Sequence, residues 1–403
     1  MPHATAGQLF NLARVFLKLG CIGFGGPAAH LSLMEREIVD ERQWLSREQF
    51  LDFLAAVYIV PGPQAVQMAG HIGMRRAGIA GLVVAAFCLC LPGVLLALPI
   101  AWVYSGYGSL PHLAPALRGI QPVVVALLIT TLLRLTRQIV AQRRAVVILV
   151  AVAVMNLAGM RELAALAVGA VAGTILLSVP LRSGKSAAGL LLPVIPCLKT
   201  APWLAAGPVV SAPAVAAGAP AAASAWSLAL FLLQTAAVWY GGGYVLMAYL
   251  QGGLVEARGW LTQQQLLDAA AVGQITPGPA LSMVTFAGYL IAGWPGAILG
   301  TIAVATPSLV LVGLLGRPLA WLRAWKAAQS FFRAIHAASV GLVAAMAVVL
   351  VRATIVDAAS PLMIDVAGAL IAVAALLLLL RWKPSPVWLL LGGAVAGSVL
   401  YRV

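Results

Sequence analysis

Long apolar runs are the feature of this sequence that most limits its fold. Several reach the roughly 20 residues that cross a ~30 Å hydrocarbon core, and the shorter ones can span it if tilted. Because an unpaired backbone group in lipid is costly, spanning segments must be helices or a closed barrel. No alternation of apolar and polar residues supports a barrel, so the sequence predicts an all-α polytopic membrane protein. The runs are Gly78–Tyr104, Gly119–Thr131, Ala145–Gly159, Leu163–Pro180, Ile335–Val351, Leu362–Leu380 and Val387–Leu400.

Composition agrees with this class and argues against others. Of 403 residues, 62% are apolar and 9% are charged. The net charge of +14 comes mostly from basic residues in short connections between apolar runs, where they orient a chain in the lipid bilayer, so no nucleic-acid partner is expected. The four cysteines show no metal-ligand spacing, and no nucleophile–base spacing indicates an enzyme. We therefore expect no metal and no other cofactor.

An internal repeat divides the chain into two related halves. Shifting the sequence by 216 positions, without a gap, places first-half motifs on second-half counterparts, for example Trp44 on Trp260. Such self-similarity is the signature of a duplicated unit. We expect a first transmembrane repeat at residues 1–182 and a second at residues 227–403. Residues 183–226 are rich in Ala, Pro and Gly, match nothing, and are expected to form a linker with room for an extra crossing around Ala187 to Leu198.

Basic residues in matched connections indicate that the halves insert in opposite directions. In the first half, one connection carries only Arg118 and the next carries four arginines; in the second half, four basic residues come first and Arg352 alone follows. Basic residues favour the cytoplasmic side, so the sequence predicts two inverted-topology repeats, an architecture typical of secondary transporters. A duplicated scaffold that transports nothing is the alternative. The side of the N-terminus depends on whether the segments beside each Pro-Gly-Pro motif cross the membrane or turn back.

A Pro-Gly-Pro motif stands at the same place in each half. Proline inside a helix removes a backbone donor and clashes one turn back, so each motif should separate two half-helices at membrane depth. The half-helix that follows offers free amides and the positive end of its dipole to an anion. A kink that serves only helix packing is the alternative. The candidate binding residues are Pro61, Gly62, Pro63, Gln64, Gln67, Pro277, Gly278, Pro279, Ala280 and Ser282.

Glycine clusters and two histidines extend these candidate sites. The clusters permit close backbone approach or an unwound turn, and they equally suit helix packing. The histidines follow the first cluster and the first Pro-Gly-Pro, where each either donates a hydrogen bond to a guest or is structural. These candidates are Gly25, Gly26, Pro27, His30, His71, Gly241, Gly242 and Gly243.

Ionisable residues in or near apolar segments are further candidates for function. Arg14 and Lys18 share one face of the first helix, where they attract an anion or extend to the membrane interface. Asp52 and Asp268 occupy equivalent positions near helix starts, where a carboxylate complements the helix dipole, so we expect structural roles for both. No acidic residue lies deep in a long apolar run, which argues against a carboxylate proton relay.

Five motifs also form a recognisable set. They are Phe24-Gly25-Gly26-Pro27 with His30, Glu41–Leu45, Tyr58–Pro63, Tyr240–Tyr244 and Thr276–Pro279. Together they resemble the motifs of the chromate ion transporter family, in its two-domain long-chain form. The resemblance covers both halves and nearly the whole chain outside the linker.

The resemblance implies a multi-pass protein of the bacterial cytoplasmic (inner) membrane that exports chromate and confers chromate resistance, with sulfate as the structural analogue. The half-helix argument supports an oxyanion, whereas chromate itself comes from the resemblance alone. Import or exchange of sulfate or another oxyanion is the alternative function, and a non-transporting scaffold is the alternative of another class. A homodimer is compatible with the sequence.

Overall fold

The computed structural model describes residues 5–24, 27–107, 114–140, 142–178, 223–314, 326–355, 365–382 and 384–401. These residues form fourteen α-helices and no strand, which confirms the predicted all-α fold. The extra crossing predicted around Ala187 to Leu198, and most of the predicted linker, lie outside the described residues. The boundaries of the two repeats remain predictions.

The described helices follow the same order in each half. The first half contains α1 (Ala6–Ile22), α2 (Pro27–Glu35), α3 (Arg47–Val57), α4 (Gln64–Tyr107), α5 (Ala114–Val140), α6 (Arg143–Leu157) and α7 (Glu162–Ser178). The second half contains α8 (Ala225–Ala237), α9 (Gly243–Leu250), α10 (Gln263–Ile275), α11 (Leu281–Leu314), α12 (Lys326–Ile355), α13 (Val366–Arg381) and α14 (Pro386–Leu400). A π-helical segment extends α2 at Arg36–Glu41 and α9 at Gln251–Glu256.

Apolar helices make this a multi-pass membrane protein. Among the described helices, α4, α5, α11 and α12 are long and apolar enough to cross a membrane, and α7, α8, α13 and α14 are shorter apolar helices. Large apolar side chains such as Phe87, Val171 and Leu377 are exposed on the outside of the bundle. Such a surface is compatible with lipid and not with water.

The half-helix before each Pro-Gly-Pro starts at a capping box. The Gln49 amide donates to Ser46 Oγ, and the Ser46 amide donates to Gln49 Oε1. Thr262 and Gln265 form the same pair of hydrogen bonds at the start of α10. A cap of this kind is worth about 1 kcal/mol, so matched residues set where α3 and α10 begin.

α4 and α11 are helical hairpins. α4 leaves the helical conformation at Ala77–Gly78, and Gly73 lies directly against the backbone of Gly81. Residues eight apart in a straight helix would be about 12 Å apart, so the chain has turned back on itself. α11 repeats this geometry at Ala292–Gly293. Each Pro-Gly-Pro is therefore followed by a short arm and a long arm, named here α4a (64–76) and α4b (79–107) in the first half, α11a (281–291) and α11b (294–314) in the second.

The two halves interlock through their last three helices. α5 packs against α13 and α14, and α12 packs against α6 and α7. Small residues allow the close approach: Gly119 lies against Gly393, and Gly173 lies against Ala334. Since lipid gives helices no hydrophobic reason to associate, close van der Waals packing of this kind is a main source of association energy.

Helix directions follow from the order of these contacts. α5 and α14 are antiparallel, because Pro115 lies beside Gly397 while Val123 lies beside Gly393. By the same kind of contact, α7 is antiparallel to both α6 and α12. α5 and α6 are joined by two residues only and must also oppose each other. Equivalent helices of the two halves, α5 with α12 and α7 with α14, therefore run in opposite directions, as inverted repeats require.

A methyl group at Gly393 should weaken the interlock. A Cβ atom there would lie 2.6 Å from Val123 and 2.7 Å from the Gly119 carbonyl oxygen, so α5 and α14 would have to separate. Overpacking costs about 1–3 kcal/mol, and we expect Gly393→Ala to lower the unfolding temperature of the protein in detergent by several degrees. Gly392→Ala is the control, because a methyl group there meets nothing within 4 Å. Equal unfolding temperatures for the two variants would contradict the close packing.

Candidate functional site

A small cleft lies where the broken segments of the two halves meet. Both glycine clusters and both Pro-Gly-Pro motifs contribute to its wall. The structure thus brings together residues that are far apart in sequence and that the repeat had marked as candidates. The lining residues are Pro27, His30, Pro63, Gln64, Ala65, Trp239, Gly241, Gly242, Gly243, Pro279 and Ala280.

Four helices begin at the wall of the cleft. α2 starts at Pro27 and α4 at Gln64, while α9 starts at Gly243 and Ala280 immediately precedes α11. The unpaired amides of a helix start act as a charge of roughly +0.5. The four ends therefore make the cleft positive without a lysine or arginine among its described lining residues. The sequence predicted the two ends after the Pro-Gly-Pro motifs, and the glycine clusters supply the other two.

The wall of the cleft offers hydrogen-bond donors to a guest. The amides of Gln64, Ala65 and Ala280 have no acceptor in the part of the chain that the structure describes. No Asp or Glu is among the described residues that line the cleft. A guest anion would satisfy these donors, whereas a cation would face the positive ends of four helix dipoles.

Each Pro-Gly-Pro motif is fastened to the opposite half. The Gly62 amide donates to the Trp239 carbonyl oxygen over 2.6 Å, and the Gly278 amide donates to the Gly23 carbonyl oxygen over 2.8 Å. The two donors are repeat equivalents, and so are the two acceptors. Glycine is required at both donors, because their φ angles are 117° and 93°. The two breaks are thus held by hydrogen bonds that mirror each other.

Each motif also rests on the long arm of the opposite hairpin. Ser308 of α11b lies so close to Gly62 that a methyl group on this glycine would be 2.5 Å from the Ser308 Cβ atom. Gly93 of α4b lies against the Pro277 carbonyl oxygen in the same way. Gly93 and Ser308 are equivalent when the two hairpin turns are aligned. The position of each break therefore depends on a helix of the other half.

His30 is the ionisable side chain among the lining residues. It is 1% exposed, and its ring hydrogen-bonds with the backbone of Gly278. Its Nε2 atom is buried and has no partner among the described residues. The second-half equivalent is Leu246, which is buried and apolar. The cleft therefore has one polar ring, on its first-half side, that is available to a guest.

Gln67 and Ser282, both predicted as donors to a guest, support the breaks from behind. Gln67 Nε2 donates to the carbonyl oxygens of Val60 and Pro61, at 3.1 and 2.7 Å. Ser282 Oγ hydrogen-bonds with Thr276 Oγ1 at 2.6 Å. Neither side chain lines the cleft. Gln67 and Ser282 instead stabilise the backbone of the two breaks next to the cleft.

His71 does not line the cleft either. It lies on α4a and stacks on Phe53 of α3, with ring centroids 5.2 Å apart, so it joins the two half-helices beside the first break. Gly25 and Gly26 lie outside the described residues.

Lys18 and Arg14 are also separate from the cleft. Lys18 Nζ pairs with Glu37 Oε2 at 2.6 Å, and the same carboxylate pairs with Arg42 Nε at 2.8 Å. Glu37 therefore compensates the charge of Lys18. Arg14 is exposed on α1 and is not a lining residue. Attraction of an anion by these two residues remains a prediction. The ion pair of Lys18 with Glu37 argues against it for Lys18.

Trp239 is a lining residue that the sequence did not single out. Its side chain is buried, and its Nε1 atom donates to the Gly242 carbonyl oxygen at 3.0 Å. The contact holds the second glycine cluster next to the cleft. The repeat contained a signal for it, because Trp239 is the equivalent of Gly23, where the first cluster begins.

Asp268 has a different setting from the one expected near a helix start. It is the sixth residue of α10 and is 3% exposed, whereas its equivalent Asp52 is exposed. Tyr104 Oη, on α4b of the other half, donates to Asp268 Oδ2 at 2.7 Å. The structure thus buries an acidic residue between α10, α4 and α5, although it lies outside every long apolar run. The sequence pattern alone did not indicate this.

Comparisons with known proteins cover the same two halves. A family model described as chromate transporter matches residues 10–174 and 226–398. A probable chromate transport protein of Synechococcus elongatus is 29% identical over 360 residues, with 87% of each chain covered. A chromate transport protein of Cupriavidus metallidurans is 29% identical over 412 residues, covering 99% of this chain and 94% of the relative. One of Pseudomonas aeruginosa is 30% identical over 354 residues, covering 88% and 83%. No solved structure matches the chain significantly.

The matched segments coincide with the two halves of the structure, and the gap between them contains most of the predicted linker. They include both breaks and every lining residue of the cleft. This chain is therefore a member of the chromate transporter family.

Proposed function

We propose that this protein is a secondary transporter that exports chromate across the cytoplasmic membrane of a bacterium and so confers chromate resistance. The observation that carries the proposal is the meeting of four helix N-termini, two from each half, at one cleft. A tetrahedral oxyanion presents oxygens in several directions and can accept hydrogen bonds from all four ends at once. Relatives that match most of the chain bear the name chromate transport protein.

Neutral donors suit an ion that must be released as well as bound. Amides at helix ends replace part of the water shell of a dianion without forming a full ion pair. Transport requires binding strong enough for entry and weak enough for exit. The cleft has no lysine or arginine among its described lining residues, so release would not require breaking a salt bridge.

The membrane potential favours the proposed direction. Moving one charge across the membrane is worth about 2.3 kcal/mol per 100 mV, so a dianion gains roughly 4 to 5 kcal/mol on leaving a negative interior. This energy is available without ATP. A secondary exporter of a dianion is therefore feasible on electrical grounds.

The inverted arrangement supplies a route for alternating exposure. Equivalent helices run in opposite directions, and each break is attached to the other half. If the two halves exchange conformations, the opening of a cleft between them moves from one side of the membrane to the other.

Import or exchange of sulfate is the second candidate function. The free donors at the cleft are backbone amides and one imidazole, and they offer the same hydrogen bonds to any tetrahedral dianion. Fully ionised chromate and sulfate differ little in shape and have the same charge. Selectivity between them must be measured.

Purified protein in liposomes tests the proposal. With labelled chromate inside and a potential that is negative inside, we expect rapid efflux that slows when the potential is collapsed, and competition by sulfate. Sulfate uptake that far exceeds chromate efflux would favour the second function. If neither oxyanion binds or moves, the transport proposal is wrong and a scaffold becomes the better interpretation. Empty liposomes provide the baseline.

A further inference from the structure

We propose that Asp268 is a proton-binding site that couples the anion cleft to pH. The inference rests on the proposed anion transport and adds a second ion to it. Asp268 lies on the half-helix that leads directly into the second Pro-Gly-Pro, and it is 3% exposed. A buried carboxyl group favours its neutral, protonated form unless donors or a cation compensate the charge.

The compensation around Asp268 is incomplete. Oδ2 accepts one hydrogen bond, from Tyr104 Oη. Oδ1 is buried and makes no hydrogen bond within ordinary limits of distance and angle, although the Gln121 side chain is near enough to act on the carboxyl group as a donor. No basic side chain among the described residues forms an ion pair with this carboxyl group. One oxygen is therefore free to hold a proton, and a small movement of Gln121 would provide a donor once the proton leaves.

No charged side chain is among the groups that act directly on this carboxyl group in the part of the chain that the structure describes. α4 brings Tyr104 and α5 brings Gln121, while α9, α11 and α14 contain no charged residue. The π-helical segment at Gln251–Glu256 also packs on α10. Several other ionisable side chains on these elements have other partners: Arg76 with Trp44, Arg118 with Tyr401, Glu256 with Gln251, Tyr249 with Val238 and Tyr289 with Trp294. Tyr244 Oη on α9 is buried without a hydrogen-bond partner, and none of Arg75, Arg134 and Arg137 forms an ion pair with Asp268 in the part of the chain that the structure describes.

The position of Asp268 connects it to the cleft. From this residue α10 runs seven residues, about 10 Å, to its end at Ile275. Residues 276–279 then lead to the cleft wall at Pro279. Its hydrogen-bond donor Tyr104 belongs to the other half. The carboxyl group is therefore close enough to interact electrostatically with a bound dianion, and it lies on the contact between the halves.

Charge repulsion links the proton to the anion. An ionised Asp268 repels a dianion in the cleft, whereas a protonated one does not. By reciprocity, a bound dianion increases the proton affinity of Asp268 to the same extent. The proton therefore binds together with the anion, and a complex with one net negative charge crosses the membrane. The membrane potential still favours its export, and the pH gradient modulates the rate.

Proton uptake during anion binding tests the proposal. Purified protein in weak buffer near neutral pH is mixed with sulfate, which unlike chromate takes up no proton itself in this range, and the pH of the medium is recorded. We expect the wild type to take up about one proton for each sulfate bound. Asp268→Asn should bind sulfate without proton uptake, and its affinity should vary at least about tenfold less with pH.

Asp52→Asn is the matched control, because it makes the same change at the equivalent exposed position. We expect it to behave like the wild type. Proton uptake that persists in Asp268→Asn, or that is lost equally in Asp52→Asn, would overturn the assignment.

An infrared titration of the protein without anion separates this proposal from the proposed transport. We expect a protonated-carboxyl C=O band that is present in the wild type and in Asp52→Asn and absent in Asp268→Asn. Tyr104→Phe removes the donor to the ionised form, so it should keep the band to higher pH, and it replaces Asp268→Asn if that variant does not fold. If the protein shows this band but binds neither sulfate nor chromate in the binding assay, the proposed transport is refuted and the proton site still stands. Absence of the band at every pH would refute the proton site, whatever the transport assay shows.

Discussion

Gly62→Ala is expected to reduce chromate transport at least tenfold while the protein still inserts into the membrane. The added methyl group would lie 2.5 Å from the Ser308 Cβ atom, and φ at this position is 117°, which non-glycine residues rarely adopt. Relief of the clash would move the first break away from α11b and from the Trp239 carbonyl oxygen to which its amide donates. The measurement is potential-driven chromate flux in liposomes at equal amounts of inserted protein.

Two further variants isolate the cause of this loss. Gly106→Ala is the control on α4b, because a methyl group there meets nothing within 4 Å, and it should transport like the wild type. Adding Ser308→Gly to Gly62→Ala removes the clash and reproduces the glycine found at the equivalent Gly93, so it should restore part of the flux. Normal flux in Gly62→Ala alone would mean that the contact between this break and the opposite arm is not needed for transport.

Gln64→Glu is expected to weaken anion binding about a hundredfold or more. The substitution places a carboxylate at the start of α4, on the wall of the cleft. The new charge would itself accept hydrogen bonds from free amides and would repel a dianion. A hundredfold loss corresponds to about 2.7 kcal/mol, within reach of one like-charge contact. Titration calorimetry with sulfate and chromate measures the dissociation constants.

Gln64→Ala is the matched control for this charge. It gives the first half the residue that the second half already has at Ala280, and it leaves the backbone amides in place. We expect a loss of no more than a few-fold. If the alanine and glutamate variants lose affinity equally, the side-chain amide of Gln64 binds the anion. The proposal that backbone amides at the helix N-termini bind it would then be wrong. If neither loses affinity, the anion binds elsewhere.

The sequence predicted the parts of the fold that depend on local pattern. Apolar runs longer than a core helix leave few alternatives to membrane helices, and proline on both sides of Gly62 and Gly278 breaks a helix whatever surrounds it. The capping residues Ser46 and Thr262 mark the starts of α3 and α10 for the same local reason. These signals need no knowledge of tertiary contacts. They also identified most of the residues that line the cleft.

Features that depend on the other half could not be predicted from local pattern. Asp268 has the same sequence spacing as the exposed Asp52, and its burial comes from the helices around it and from Tyr104, which is 164 positions away along the chain. Lys18 suggested a free cation until the fold placed Glu37 beside it. Trp239 was not singled out from the sequence, yet its carbonyl oxygen accepts a hydrogen bond from the Gly62 amide. Sequence periodicity and motif spacing do not indicate which distant residues contact each other in the fold.

The hairpin turns show an intermediate case. The turn at Ala77–Gly78 coincides with the start of the apolar run Gly78–Tyr104, directly after Arg75 and Arg76, but this boundary alone does not show that the chain turns back on itself. Only the matched glycines on either side, Gly73 with Gly81, show that two helical arms can lie in backbone contact. Glycine spacing of this kind repeats in α11. The glycine spacing is weak evidence for a hairpin at one position, and its recurrence in the second half makes the evidence stronger.

The mirrored hydrogen bonds of Gly62 and Gly278 make neither half self-sufficient. Each repeat supplies half of the hydrogen-bond donors, and the other repeat holds those donors in position. A polypeptide with a single repeat would therefore form the pocket only together with a second, oppositely inserted chain. Joining the repeats in one chain guarantees equal numbers of both orientations. It also permits the asymmetry seen here, with an imidazole on one side and a buried carboxyl group on the other, which a pair of identical subunits could not maintain.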